Sequence, residues 1–252
     1  MSDKNKFPSE IIDLPSKGLV YSKDSPLING KLELKYMTTR EEDILTSQNL
    51  IKKGVVIEKL LDSLILTEGV NSDDLIVGDK NAIMVAARIL AYGPEYTVEV
   101  TSPLTGRQST RTFNLADCPF KELPDDVDYS SGIFQIELPI SKVKVDFKLL
   151  TGKDEKIIEK ELNSIRKLGV ASREVSTRLK HAIISIDGDD SVKEINSFVD
   201  NMLSKDSLAL REEMARVAPD IDMEQEIEDE EGGTVSLVIP MTVDFFWPKT
   251  AG

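Results

Sequence analysis

The chain has 252 residues, 40% of them apolar and 30% charged, which is enough for two ordinary globular domains with real cores and excludes a disordered chain. A formal charge of −14 repels a phosphate backbone, and no Lys/Arg run offers a local basic face, so no nucleic-acid partner is predicted. The single cysteine, Cys118, excludes an internal disulfide, and no apolar run has the length of a membrane span or forms a signal segment, so a cytosolic protein without a membrane partner is predicted.

Residues 1–30 read as an N-terminal arm. Leu14-Pro-Ser-Lys-Gly18 is a turn signal, and Asn29-Gly30 delivers the chain into a strand, Lys31 to Lys35. There Leu32 and Leu34 face one side and the charged residues the other. Thr38 followed three residues later by Glu41 is a capping-box signature, so a helix starts there and carries Ile44 and Leu45 inward. Past Gly54, residues Ile57, Leu60, Leu61, Leu64 and Ile65 form a core-facing helical stripe. A third helix is predicted from an N-cap at Asp79 through Ile83, Ala87 and Leu90, stopped by Gly93-Pro94. Strict alternation at Tyr96, Val98 and Val100 then gives a strand, Ser102 to Gly106 a turn, and Arg107 to Phe113 the returning strand. Residues 119–132, rich in Pro, Asp and Glu, read as a linker.

Beyond it the order repeats. Phe134 to Pro139 and Val143 to Lys148 read as strands. Thr151 caps with Asp154 and opens a helix through Ile157, Ile158, Ile165 and Leu168. A further helix carries Val175, Leu179, Ile183 and Ile186. Ser191 with Glu194 is a third capping box, leading to Ile195, Val199 and Met202, and a last helix runs from about Ser207 to Val217. Ile221, Met223, Gln225 and Ile227 alternate with acidic residues, which places that acidic run on the solvated face of a strand. Gly232-Gly233 then turn the chain into Val235 to Pro240.

The repetition is visible in the letters. Lys31–Leu45 aligns with Lys144–Ile158 at a constant offset of 113, with five identities and two positions out of class, Thr39/Gly152 and Asp43/Lys156. Gly93-Pro94 with its following strand matches Ala218-Pro219 at an offset of 125. The prediction is an α+β protein of two tandem, divergent copies of a helical unit, each with an entry strand and a closing hairpin, over 31–118 and 133–252.

Catalytic chemistry has little to build from. One histidine, His181, and one cysteine rule against Ser-His-Asp and Cys-His arrangements, and no carboxylate pair stands out from the surface charge. A hydrolase using paired carboxylates would need a pocket of convergent carboxyls. Gly78-Asp79-Lys80 lacks the upstream glycine of a phosphate loop. Each closing hairpin has a turn shaped like a zinc knuckle, Ser102-Pro-Leu-Thr105-Gly106 and Glu228-Asp-Glu-Glu231-Gly232, but the chain cannot supply four thiolate or imidazole ligands, so neither zinc nor any cofactor is predicted.

Several segments carry a family resemblance: Leu14-Pro-Ser-Lys-Gly-Leu19, Tyr36-Met-Thr-Thr-Arg-Glu-Glu-Asp-Ile-Leu45, Gly78-Asp-Lys-Asn81, Ala87-Arg-Ile-Leu-Ala-Tyr-Gly93, Phe147-Lys-Leu-Leu-Thr151, Ser172-Arg-Glu-Val175 and Phe245-Phe-Trp-Pro248. In these the chain resembles the T4-like bacteriophage baseplate hub assembly proteins of contractile phages. The resemblance implies a non-enzymatic role in building the baseplate hub, as an assembly factor that is released or a subunit that stays in the virion, with hub or other tail proteins as partners in the host cytoplasm. Members of that family often carry C-P-x-C-G and C-x-x-C-G at the two knuckle turns. Loss of both pairs here is the expected outcome if the two turns meet in space. The predicted contact residues are Leu14, Leu19 and Tyr21 in the arm and Phe245, Phe246 and Trp247 at the aromatic end, since three adjacent aromatics cannot all face one core. A different class of function, an acidic regulatory module that occupies a basic host protein, accounts for the charge but not for the repeat.

Overall fold

The computed structural model describes residues 7–169, 171–228, 233–241 and 243–246. It is a mixed α+β fold. The chain opens with β1 (Ser9–Asp13) and β2 (Lys31–Lys35), an antiparallel pair in which Ile11 faces Glu33 across the ladder. Residues 9–13 are therefore an edge strand, not part of a free arm: the loop between the strands is closed by Leu14 N donating to Gly30 O at 2.8 Å. Leu32 and Leu34 point into the core, as alternation requires. Lys35 departs from the predicted pattern and is buried, because its ammonium turns to the Glu41 carboxylate.

Helices α1 (Thr39–Thr46), α2 (Gln48–Lys53), α3 (Val56–Leu64) and α4 (Val77–Tyr92) follow. Leu60, Leu61 and Leu64 of α3 are wholly buried, and each contributes roughly 1.5–3 kcal/mol by leaving water. Asp79 is not the N-cap of α4. Ile76 holds that position, and Asp79 sits in the first turn as a buried acceptor. The hairpin β3 (Glu95–Thr101) and β4 (Gln108–Asn114) then forms in register.

In the second half, β5 (Ile133–Glu137), β6 (Lys144–Lys148) and β7 (Ile183–Ile186) make a three-stranded sheet around α5 (Gly152–Lys167), α6 (Glu174–Ala182), α7 (Val192–Asn201) and α8 (Ser204–Val217). The segment predicted to continue a helix through Ile183 and Ile186 is β7, since its β-branched run pairs with β6. The capping box expected at Ser191 does not form: the Ser191 side chain makes no cap bond, and its backbone N–H goes to Asp189 Oδ1 at 2.8 Å.

The final hairpin, β8 (Glu224–Glu228) and β9 (Thr234–Val238), returns to the first half. Ile221, Met223, Ile239, Phe245 and Phe246 join the core built on Leu32, Leu60, Leu64 and Tyr96, whereas residues 129–217 enclose a separate core around Phe134, Phe147 and Leu210. The predicted linker is packed as well. Phe120 bridges Ile221, Lys121 N donates to Asp220 O, and Tyr129 is buried with its hydroxyl on Val217 O at 2.9 Å. The halves are also sewn together by backbone: Val77 N to Leu150 O, Gly152 N to Leu75 O and Lys153 N to Asp73 O, at 2.9–3.1 Å.

Candidate interaction surface

The predicted contact residues fall into three groups. Leu14 is 1% exposed and belongs to the first core, and Tyr21 is half-buried, donating its hydroxyl to Asp79 Oδ2 at 2.7 Å. Ser16 adds its N–H and hydroxyl to the same carboxylate at 2.9 and 2.7 Å, so Asp79 fastens the loop onto the start of α4. Burial pushes the Asp79 carboxyl up from its ordinary range, against the opposing pull of those hydrogen bonds. Only Leu19 of the three is exposed, at 47%, where it borders a concavity shared with Ile28, Val127 and Tyr129.

Phe245 and Phe246 are core residues. Phe245 meets Tyr96 edge-on at 4.9 Å between centroids and Phe246 at 5.4 Å, and Arg88 Nε donates to its carbonyl at 3.0 Å. Their packing is against the first half and not, as chain order suggests, the second. Trp247 lies outside the described residues.

The knuckle turn of the first hairpin keeps its shape without thiolates. Ser102 is buried, and its Oγ accepts from Leu104 N and Thr105 N, both at 3.3 Å. Thr105 Oγ1 accepts from Arg107 N at 3.4 Å, Gly106 N closes the turn onto Ser102 O, and Gly106 supplies the φ of +69° it needs. Of the second turn, the Glu228 backbone ends β8 opposite Thr234, and Glu231 and Gly232 lie outside the described residues. A Cβ built on Gly233 would stand 3.9 Å from Leu104 Cδ1, so the two hairpin ends are neighbours in space. Among the described residues no three His, Cys, Asp or Glu side chains gather to hold a metal ion.

The residues that carry reactive chemistry are dispersed. His181 Nε2 faces Glu161 at 3.2 Å near the surface of the second half. Cys118 is buried in the first core, where burial, with Asp222 and Asp117 adding, pushes its thiol up and away from the nucleophilic thiolate.

The cleft between the halves was not foreseen. It encloses about 650 Å³ between α3 and α4 on one side and α5 and α6 on the other, with Phe245 and Phe246 behind it. Glu58 lines it although it is only 8% exposed. The sequence did hold a signal: Glu58 shares the helical face of Leu61 and Ile65, three and seven residues on, a place where an apolar side chain is expected. Lys80, Lys156 and Arg178 line the same space.

Among the described residues no helix is long and apolar enough to cross a membrane. Neither the curated proteins nor the solved structures gave a match to this chain. The family model described as T4 bacteriophage base plate protein matches residues 11–247, nearly the whole length, and the chain belongs to that family.

Proposed function

We propose that the chain is a non-enzymatic assembly factor or subunit of the baseplate hub of a contractile phage tail, acting through protein–protein contacts in the host cytoplasm, and that it consists of two divergent copies of one unit. The observation that carries this reading is the family match over residues 11–247. The repeat is supported by one piece of local geometry found twice. In the first half Lys35 reaches Glu41 at 2.8 Å while Thr38 donates to the same carboxylate; 113 residues on, Lys148 reaches Asp154 at 2.8 Å and Thr151 does likewise. The non-enzymatic role is what membership in a base plate family suggests. Leu19 remains a contact candidate from the amino-terminal loop, and the neighbouring hairpin ends offer a second surface, with Leu104 well exposed.

The test is recovery of an affinity-tagged chain from infected cells at successive times, with mass spectrometry of what accompanies it. Hub proteins are the expected companions, and their presence in purified virions together with the chain would mark it as a retained subunit. Recovery of no tail protein at any stage would overturn the reading. The charge of −14 favours one other reading, a module that occupies a basic host protein. Recovery of such a protein with no tail protein would select it.

A further inference from the structure

The inter-half cleft contains a carboxylate that the fold leaves unused. Apolar side chains at Ile57, Met84, Leu162 and Phe245 line the cleft. Most charged groups there are already matched: Arg178 holds Glu155 through two bonds of 2.7 and 3.0 Å, and Lys156 reaches Asp73 at 2.5 Å. Glu58 differs. Its Oε1 lies 3.8 Å from Lys80 Nζ, beyond hydrogen-bond reach, and its Oε2 is shut off from solvent with no hydrogen-bond partner. An orphaned buried carboxylate oxygen is destabilising by itself, and a fold rarely keeps one without a use. Glu159 and Arg166, on the α5 side of the same cleft, are exposed and make no ion pair among the described residues.

We infer that this cleft receives a segment of a partner tail protein that sets a lysine or arginine on Glu58 Oε2 and seats flanking apolar side chains on the walls. The inference rests on the proposed function and names the chemistry of the partner. A carboxylate only accepts, so the occupant must donate, and a cationic donor gives the stronger, charge-assisted bond. Lys80 lies on the Oε1 side, so the unfilled acceptor capacity is on Oε2, which a donor reaches when the Glu58 side chain turns toward the cleft. The overall charge of −14 speeds the approach of a basic segment. Apolar walls on both halves fit a side chain with an aliphatic stem, which lysine and arginine both have.

The experiment places the photo-crosslinker p-benzoylphenylalanine at Glu159 of the tagged full-length chain in infected cells. A control carries it at Val192, an exposed residue that is not among those lining the cleft. Cross-links from position 159 should map to a tail-protein peptide with a lysine or arginine within a few residues, and Glu58→Gln should lower their yield about tenfold. Glu58→Gln in the purified chain should leave the melting temperature unchanged or raise it, since it removes a buried carboxylate that has no hydrogen bond to lose. A fall in melting temperature together with the lost yield would make Glu58 a structural residue and overturn the inference. Cross-links only to residues 247–252 of the same chain, or to a peptide without a basic residue, would also overturn it. Tail proteins captured at position 192 but never at 159 would defeat the cleft and leave the proposed function standing. Capture of no tail protein at either position would defeat both.

Discussion

The two strand-to-helix units, β2 with α1 and β6 with α5, share one device and differ where the second packs on the loop between α3 and α4. In both, a strand-terminal lysine and a threonine cap converge on the carboxylate in the first helical turn. Lys35 and Glu41 are almost fully buried, whereas the Lys148 side chain is 37% exposed. The two positions that fall out of class in the alignment have a physical explanation. Gly152 stands where the first unit has Thr39, and a Cβ there would lie 2.3 Å from Ser72 O. Lys156 stands where the first unit has Asp43, and it pairs with Asp73. Both departures face one turn of the first half, so the out-of-class positions of the second unit are those that pack on that half.

The largest expected effect comes from breaking the buried pair. Glu41→Ala strands the Lys35 ammonium and should destabilise by about 3–5 kcal/mol in urea unfolding, while the double change Lys35→Met with Glu41→Leu should recover most of the loss. The same pair sets an acid limit. Burial alone would raise the Glu41 carboxyl, but bonds from Lys35, Ser63 and Thr38 outweigh it and hold the group at about 2, below its ordinary 4.5. Its stabilisation is therefore complete above pH 4.5 and lost as pH falls from there through 2, on the order of 3 kcal/mol in all. The stability difference between wild type and Glu41→Gln, followed against pH, should shrink over that window.

Next in size is Gly152→Thr, which gives the second unit the first unit's residue and should cost about 1–3 kcal/mol by forcing the Ser72 backbone away. The reciprocal Thr39→Gly meets no such contact and should cost only about 0.3 kcal/mol, the small difference in helix propensity between threonine and glycine. Asp154→Ala removes a cap and a half-exposed pair and should cost about 1 kcal/mol, well short of Glu41→Ala. Lys156→Ala should change stability by under about 1 kcal/mol, since both partners of its ion pair are about one-third exposed. Equal effects of Glu41→Ala and Asp154→Ala would break the comparison.

How far the sequence reached can be judged from particular residues. Thr38/Glu41, Thr151/Asp154, the stripe from Ile57 to Ile65 and the β3–β4 hairpin were legible because each is a local pattern with a local cause. The edge strand Ser9–Asp13 was missed because its partner lies across a seventeen-residue loop of turn signals. β7 was missed because Val175, Leu179, Ile183 and Ile186 fit a helical face as well as an interrupted one, and only pairing with β6 decides. Phe245 and Phe246 looked available because the core that claims them is built by residues far earlier in the chain, from Leu32 to Tyr96. Glu58 was hidden for the opposite reason: its place on the stripe was visible, but an unmatched carboxylate can be recognised only once its neighbours are known.

The most direct test of the account is a cryo-electron microscopy map of the assembly intermediate that co-purifies with the tagged chain. The expected map shows the chain in place on hub proteins, its halves joined through residues 73–77 and 150–153, and a foreign segment in the cleft against Glu58. Absence of the chain from every intermediate, or hub contacts made only through other faces with the cleft left empty, would contradict it.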